Sequence, residues 1–163
     1  MSDALRLAVL ANLDAAHNLA RWLVRDPSAA EDVAQEAVER ALRYGASWRG
    51  DNARAWLLQI VRTRAYAWLA KRRDAAEDPL PDEWPLADPA PSPEAAMVVV
   101  QARETLEAAL LALPAELREC LVLRELEELS YAEIARVTGT PLGTVMSRLW
   151  RARRALLGVG VQP

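Results

Sequence analysis

The chain has 163 residues, 52% of them hydrophobic and 26% charged, which is the composition of a globular protein of one large or two small domains. One cysteine, Cys120, excludes an internal disulfide, and one histidine, His17, leaves no transition-metal cluster, cofactor site or histidine-based catalytic constellation to propose. No apolar run approaches the roughly 20 residues of a membrane span and no leader pattern opens the chain, so a cytoplasmic protein without membrane insertion is expected.

The net charge of −3 conceals three zones. Residues 1–73 carry 12 basic and 8 acidic side chains, 74–93 carry 6 acids and no base, and 94–163 carry 8 bases and 9 acids. The middle zone, "DAAEDPLPDEWPLADPAPSP", also holds six prolines in twenty residues. Proline removes amide donors and favours extended backbone, so this zone reads as a flexible acidic linker between two domains, 1–73 and 94–163.

Outside the linker, apolar residues recur at threes and fours, which predicts an all-α chain. A first helix is expected over 3–25, with Leu5, Val9, Leu13, Ala16, Ala20 and Leu23 on one face and His17 at its surface or partly buried. Ser28 and Glu31 have the spacing of a capping box and predict a second helix to about Tyr44. "GASWRGDN" supplies a turn and an N-cap, and Trp56, Leu57, Ile60, Val61, Ala65, Trp68 and Leu69 then form the apolar face of a third helix ending in "KRR". Past the linker, helices are expected over 94–112 and 115–127, with Cys120 buried. Ser130 and Glu133 repeat the capping-box spacing ahead of a helix that Gly139 ends. Thr140 is the expected cap of a last helix with Pro141 at its first position, running to about Leu157.

Two short helices joined at a glycine spell helix-turn-helix. In the last helix Leu142, Val145, Leu149, Ala152 and Leu156 are expected to face inward. Thr144, Ser147, Arg148 and Arg151 fall on the opposite side at i, i+3, i+4 and i+7, flanked by Arg153 and Arg154. Such a face can pair with guanine edges or phosphates in a major groove. Between Arg49 and Arg73, seven bases against the single acid Asp51 are interleaved with Trp56, Tyr66 and Trp68, a mixture suited to single-stranded DNA.

"LSYAEIARVTGTPLGTVMSRLWRARRAL" resembles the C-terminal helix-turn-helix of bacterial extracytoplasmic-function (ECF) sigma factors of the sigma-70 family. "AEDVAQEAVERAL" is similar to the helix such factors place on the clamp of RNA polymerase, and "WRGDNARAWLLQIVRT" to their promoter-melting segment. The resemblance covers nearly the whole chain in the family's order. It implies a sigma-2-like helical bundle that binds core RNA polymerase and melts the −10 element, and a sigma-4-like domain that reads the −35 element. Asp32, Gln35 and Glu36 match the polymerase-facing helix. Arg49, Asp51, Asn52, Arg62, Thr63 and Arg64 match the −10 loop and helix, where an extruded base is captured. Thr144, Ser147, Arg148, Arg151, Arg153 and Arg154 match the −35 recognition helix. Trp48 matches an aromatic that mainly packs. Thr63, Ala67 or Trp68, and Met146 depart from the family's usual polar or basic residues, so the promoter sequence does not carry over.

The resemblance further implies an anti-sigma factor as a partner and no enzymatic activity of the chain's own. A stand-alone helix-turn-helix regulator and a sigma mimic that never touches DNA are the competing readings; both leave basic surfaces of this chain without a purpose.

Overall fold

The computed structural model describes residues 2–75 and 93–160, and every regular element among them is helical. Nearly all of the expected linker therefore lies outside the described residues.

The first half packs α1 (Asp3–Leu10), α2 (Leu13–Val24), α3 (Pro27–Arg43) and α4 (Ala53–Asp74) into a bundle. The single helix expected over 3–25 is two. Asn12 turns its side chain back so that Nδ2 donates to the Ala8 carbonyl at 2.7 Å, and its backbone leaves helical geometry at φ −119°. An asparagine side chain that bonds nearby backbone competes with the helical ladder, and here it interrupts it. The kink carries Leu13 out of the expected apolar face to 39% exposure, while Leu5, Val9, Ala16, Ala20 and Leu23 are buried as the periodicity required.

The start of α3 also differs. Asp26, not Ser28, is the cap: its carboxylate accepts from the Ala29 amide at 3.1 Å. Pro27 follows at the first helical position, where a missing amide costs nothing, and the helix begins ahead of the expected box. Ala30, Ala34, Ala37 and Ala41 give α3 a flat buried face, and small side chains at a contact let helix axes approach closely. Leu19, Leu23, Leu57, Leu58 and Val61 fill the centre; Leu58 joins α4's buried set, whereas Trp56, Ile60 and Trp68 lie at its half-buried edge.

The second half comprises α5 (Pro93–Ala112), α6 (Ala115–Leu121), α7 (Tyr131–Thr138) and α8 (Leu142–Gly158). The uniform helix expected over 115–127 widens instead into a π turn at Val122–Leu126, closed by the Glu127 amide on the Val122 carbonyl at 3.1 Å. The extra residue has a geometric effect. In an α-helix of 3.6 residues per turn, positions eight apart are about 80° out of line; the wider turn takes up that excess, so Glu119 and Glu127 face the same neighbour.

Ser130 caps α7 as expected, its hydroxyl accepting from the Glu133 amide at 3.1 Å, and Gly139 ends it in the left-handed region at φ 65°. A glycine there avoids the Cβ clash other residues meet. Thr140 does not cap α8. Pro141 occupies that place, and the Thr140 hydroxyl lies 2.8 Å from that of Thr138, bracing the turn. Val145, Leu149, Ala152 and Leu156 are buried and α8 packs on α6, but Leu142, expected inward, is the first residue of α8 and is 48% exposed.

The halves are packed together. α2 lies against α6 and α4 against α7, so the helix-turn-helix abuts the first bundle.

Candidate nucleic-acid and polymerase interface

The loop before α4 is held by its aromatic. The indole Nε1 of Trp48 donates to the Asp51 carbonyl at 2.8 Å, and the ring packs 6.5 Å from that of Trp56. Trp48 is thus a packing residue, in agreement with expectation. Arg49 and Asp51 project from the loop, the latter with its carboxylate 3.4 Å from Arg136 on α7. Asn52 sits in left-handed backbone at φ 28°, a conformation asparagine tolerates better than most residues. Its side-chain oxygen accepts from the Ala55 amide at 3.1 Å and caps α4.

Along α4, Thr63 is exposed and its hydroxyl returns to the Gln59 carbonyl at 2.9 Å. Arg64 pairs with Glu36 of α3 at 3.1 Å. Arg62 turns towards the second half, where its Nε and Nη2 donate to the two oxygens of Glu119 at 2.8 and 3.0 Å. Glu119 is fully buried, and this burial raises its carboxyl above the ordinary value despite the guanidinium beside it. The Arg62 guanidinium also stacks 4.5 Å over the Tyr66 ring, whose phenol burial pushes up.

On α8 the expected polar face divides. Ser147, Arg151 and Arg154 are exposed and Thr144 half-exposed; Arg154 lies 5.2 Å over the ring of Trp150. Arg151 makes no side-chain hydrogen bond or ion pair among the described residues. Arg148, expected on the same outward face, is half-buried, and its charge bears on Glu119 and the Cys120 thiol instead. Arg153 is held by Glu125 at 2.9 Å and reaches the Tyr131 hydroxyl at 3.5 Å, bonds that keep its guanidinium above its ordinary value. Seen from outside, the helix therefore offers Thr144, Ser147, Arg151 and Arg154, with Met146 and Trp150 beside them.

Two family models match this architecture half by half: sigma-70 region 2 over residues 8–75 and sigma-70 region 4 over residues 103–156. The chain belongs to the sigma-70 family. Within it, the chain is 37% identical over 134 residues to the ECF RNA polymerase sigma-E factor of Escherichia coli K12, a match covering 77% of this chain and 70% of that one. It is 40% identical over 143 residues to the RNA polymerase sigma-H factor of Pseudomonas aeruginosa, covering 82% and 74%. This is an ECF sigma factor, the subunit that joins core RNA polymerase and directs it to specific promoters. The fold is similar to that of the sigma factor RpoE from Bartonella quintana, solved in complex with the anti-sigma factor NepR: TM-score 0.77, 28% identity, 94% of both chains covered. CnrH, solved with the cytosolic domain of CnrY, shares the fold at TM-score 0.64 and 22% identity, over 96% of this chain and 97% of that one.

In this sigma factor the segment similar to the polymerase-facing helix is α3. Asp32 and Gln35 are exposed there, Gln35 donating to Glu39 at 3.2 Å, whereas Glu36 is engaged by Arg40 at 3.2 Å as well as by Arg64. Sequence reasoning missed the residues that join the halves. Besides Glu119, Glu127 accepts from Asn18 at 2.7 Å and pairs with Arg54, and Arg118, only 5% exposed, donates through Nε to the Trp22 carbonyl at 2.6 Å. The signal available was "LRECLVL": a base and an acid side by side on a turn whose neighbours are apolar, a burial that demands partners from elsewhere. Among the described residues no histidine, cysteine and acid group is placed to hold a metal, and no helix is long and apolar enough to cross a membrane.

Proposed function

We propose that residues 1–73 bind core polymerase and open the −10 element, that 94–163 read the −35 element, and that 74–93 span between them. On α3, Asp32 and Gln35 meet the polymerase, with Glu36 released to join them when its arginines are drawn away; an acidic and amide surface suits a basic partner. In the loop, Arg49 and Asp51 contact the displaced strand while Asn52 holds the geometry. Arg62, Thr63 and Arg64 line its path along α4, phosphate attraction coming from the arginines. On α8, Thr144, Ser147 and Arg151 face the major groove, with Arg148, Arg153 and Arg154 available to phosphates once their internal contacts are exchanged.

The observation that carries this reading is the exposed Ser147–Arg151 face of α8 on the same chain as the Trp48-braced loop: a reader of duplex and a reader of single strand, each on its own half. The sigma factor acts in the cytoplasm, has no catalysis of its own, and is held inactive by an anti-sigma factor, the kind of partner with which its Bartonella relative was solved.

The test is transcription in vitro with purified protein, core RNA polymerase and fragmented genomic DNA of the source organism, with starts mapped against core alone. New starts sharing two spaced upstream elements are expected. Co-elution with core but no new starts would remove the melting assignment, and no binding to core would leave a stand-alone regulator or a mimic.

A further inference from the structure

We propose that Met146 selects a thymine in the −35 element by packing on its methyl group, with Trp150 as the wall that completes the contact. This role rests on the assignment of α8 to the −35 duplex proposed above, and it gives one base of that element to an apolar side chain instead of an arginine.

An apolar stripe runs along α8 beside its polar face. Leu142, Met146 and Trp150 follow one another at steps of four and are 48%, 52% and 60% exposed. Residues four apart are neighbours on one side of a helix, so the three form a continuous edge. Ser147 and Arg151, each one residue further on, are exposed as well, so the edge and the polar face look out over the same two turns. Large apolar side chains left exposed side by side mark an interaction surface.

Charge says what covers it. α8 holds four arginines and no acid, a composition that attracts a polyanion. Duplex DNA is such a polyanion, and its major groove carries one apolar group, the thymine methyl, which apolar side chains contact. The N-terminal residues of a recognition helix are the ones that meet base edges. Met146 is the fifth residue of α8 and lies in that part.

The surroundings of Met146 favour this contact over a hydrogen bond. A shallow hollow beside it is lined by Tyr131, Trp150, Arg153, Arg154 and Leu157. The donors on its rim are engaged. Arg153 donates to Glu125 at 2.9 Å and to the Tyr131 hydroxyl at 3.5 Å, and the Arg154 guanidinium lies 5.2 Å over the Trp150 ring, to which it is attracted. Trp150 is thus a held wall, and Met146, unbranched and polarizable, is the adjustable side chain beside it. Cytosine would bring an amino group, and guanine two acceptors, against a surface whose rim donors are engaged, and a polar group taken from water without a partner is costly. Thymine alone brings a methyl group.

The test uses holoenzyme reconstituted from core polymerase and this protein, on the strongest promoter found by start mapping. Each thymine of its −35 element, on either strand, is replaced singly by deoxyuridine, which pairs identically and lacks only the methyl group. Initiation at subsaturating holoenzyme is measured for the parent, Met146→Ala and Met146→Lys, and urea midpoints establish that these exposed substitutions leave the fold intact. One deoxyuridine should lower initiation by the parent about fourfold, the effect of one buried methyl group, and should have no further effect on Met146→Ala. Met146→Lys, which offers a donor there, should favour guanine at that position. No loss at any thymine in the parent, or an equal loss in the parent and Met146→Ala, overturns the proposal. So does weaker core binding by Met146→Ala with base preference unchanged, which would assign the stripe to polymerase. If deoxyuridine is silent while Arg151→Ala alters −35 discrimination, the thymine contact fails and the −35 assignment stands; if every −35 base change is silent in all the proteins, the −35 assignment itself fails.

Discussion

Arg62 and Glu119 face each other as a two-pronged pair, 2.8 and 3.0 Å apart, with the carboxylate wholly out of solvent and the guanidinium stacked on Tyr66. Burial holds the Glu119 carboxyl above its ordinary value, and the opposing charges of Arg62 on α4 and Arg148 on α8 only partly offset it. A carboxyl raised in the closed, folded form contributes stability that is complete below the ordinary carboxylate value and is lost as pH rises through the raised one. Lowering the pH from neutrality towards the ordinary carboxylate range should therefore stabilise the fold. The urea midpoint followed across that range should rise, and the rise should be smaller in Glu119→Gln; equal profiles would show that other carboxylates are responsible.

The Cys120 thiol is fully buried, and burial, helped by the charge of Glu119, pushes it up to about 11. Thiolate is the reactive species, so a shift from 9.0 to about 11 removes roughly a hundredfold of it near pH 8. Reaction with a disulfide reagent should be at least that much slower in the folded protein than in urea. The raised thiol stabilises the fold fully below its ordinary value, and this contribution fades as pH climbs through about 11. Rapid labelling at pH 8 would mean that α6 opens on its own.

Asn52 stands in left-handed backbone and caps α4 through its side-chain oxygen, 3.1 Å from the Ala55 amide. Asn52→Ala should cost about 1 kcal/mol in urea unfolding, while Asn52→Gly, which suits the backbone and loses only the cap bond, should cost a few tenths. If single-stranded DNA binding then falls in both variants beyond what the stability loss explains, the side chain also touches the strand.

Arg151 and Arg148 are three residues apart and differ in setting: one is exposed without a side-chain partner among the described residues, the other is half-buried against Glu119 and Cys120. Arg151→Ala should cost about 1–3 kcal/mol of discrimination at one −35 position if it reads a base, and should weaken all sequences evenly if it holds phosphate. Arg148→Ala should have its larger effect on stability, measured as a lower urea midpoint than that of Arg151→Ala. A base-specific defect in Arg148→Ala that matched that of Arg151→Ala would place Arg148 on the groove side.

Features governed by a few neighbouring residues were legible before any coordinates. Ser130 three residues ahead of Glu133, Gly139 at the end of α7, and Val145, Leu149, Ala152 and Leu156 on one face all act within a helical turn or two, and together they specify the helix-turn-helix. The same holds for the cap at Asn52 and for the burial of Cys120. Local competition between two adequate signals was not resolved: Asp26 against Ser28 at the start of α3, Pro141 against Thr140 at the start of α8, and the Asn12 side chain against the helix that the surrounding apolar pattern continues.

The sequence by itself determined an all-α chain, the acidic proline-rich break between its halves, and the family to which both halves belong, because each rests on composition, short-range periodicity or a dense motif. Tertiary structure decided which arginines are free. Arg62 meets Glu119 across 57 residues and Arg54 meets Glu127 across 73, with the linker between them. No local rule reaches so far: whether a basic side chain on α4 points at water, at DNA or at a buried acid depends on how two packed bundles settle against each other. The π turn that aligns the two acids is part of the same packing.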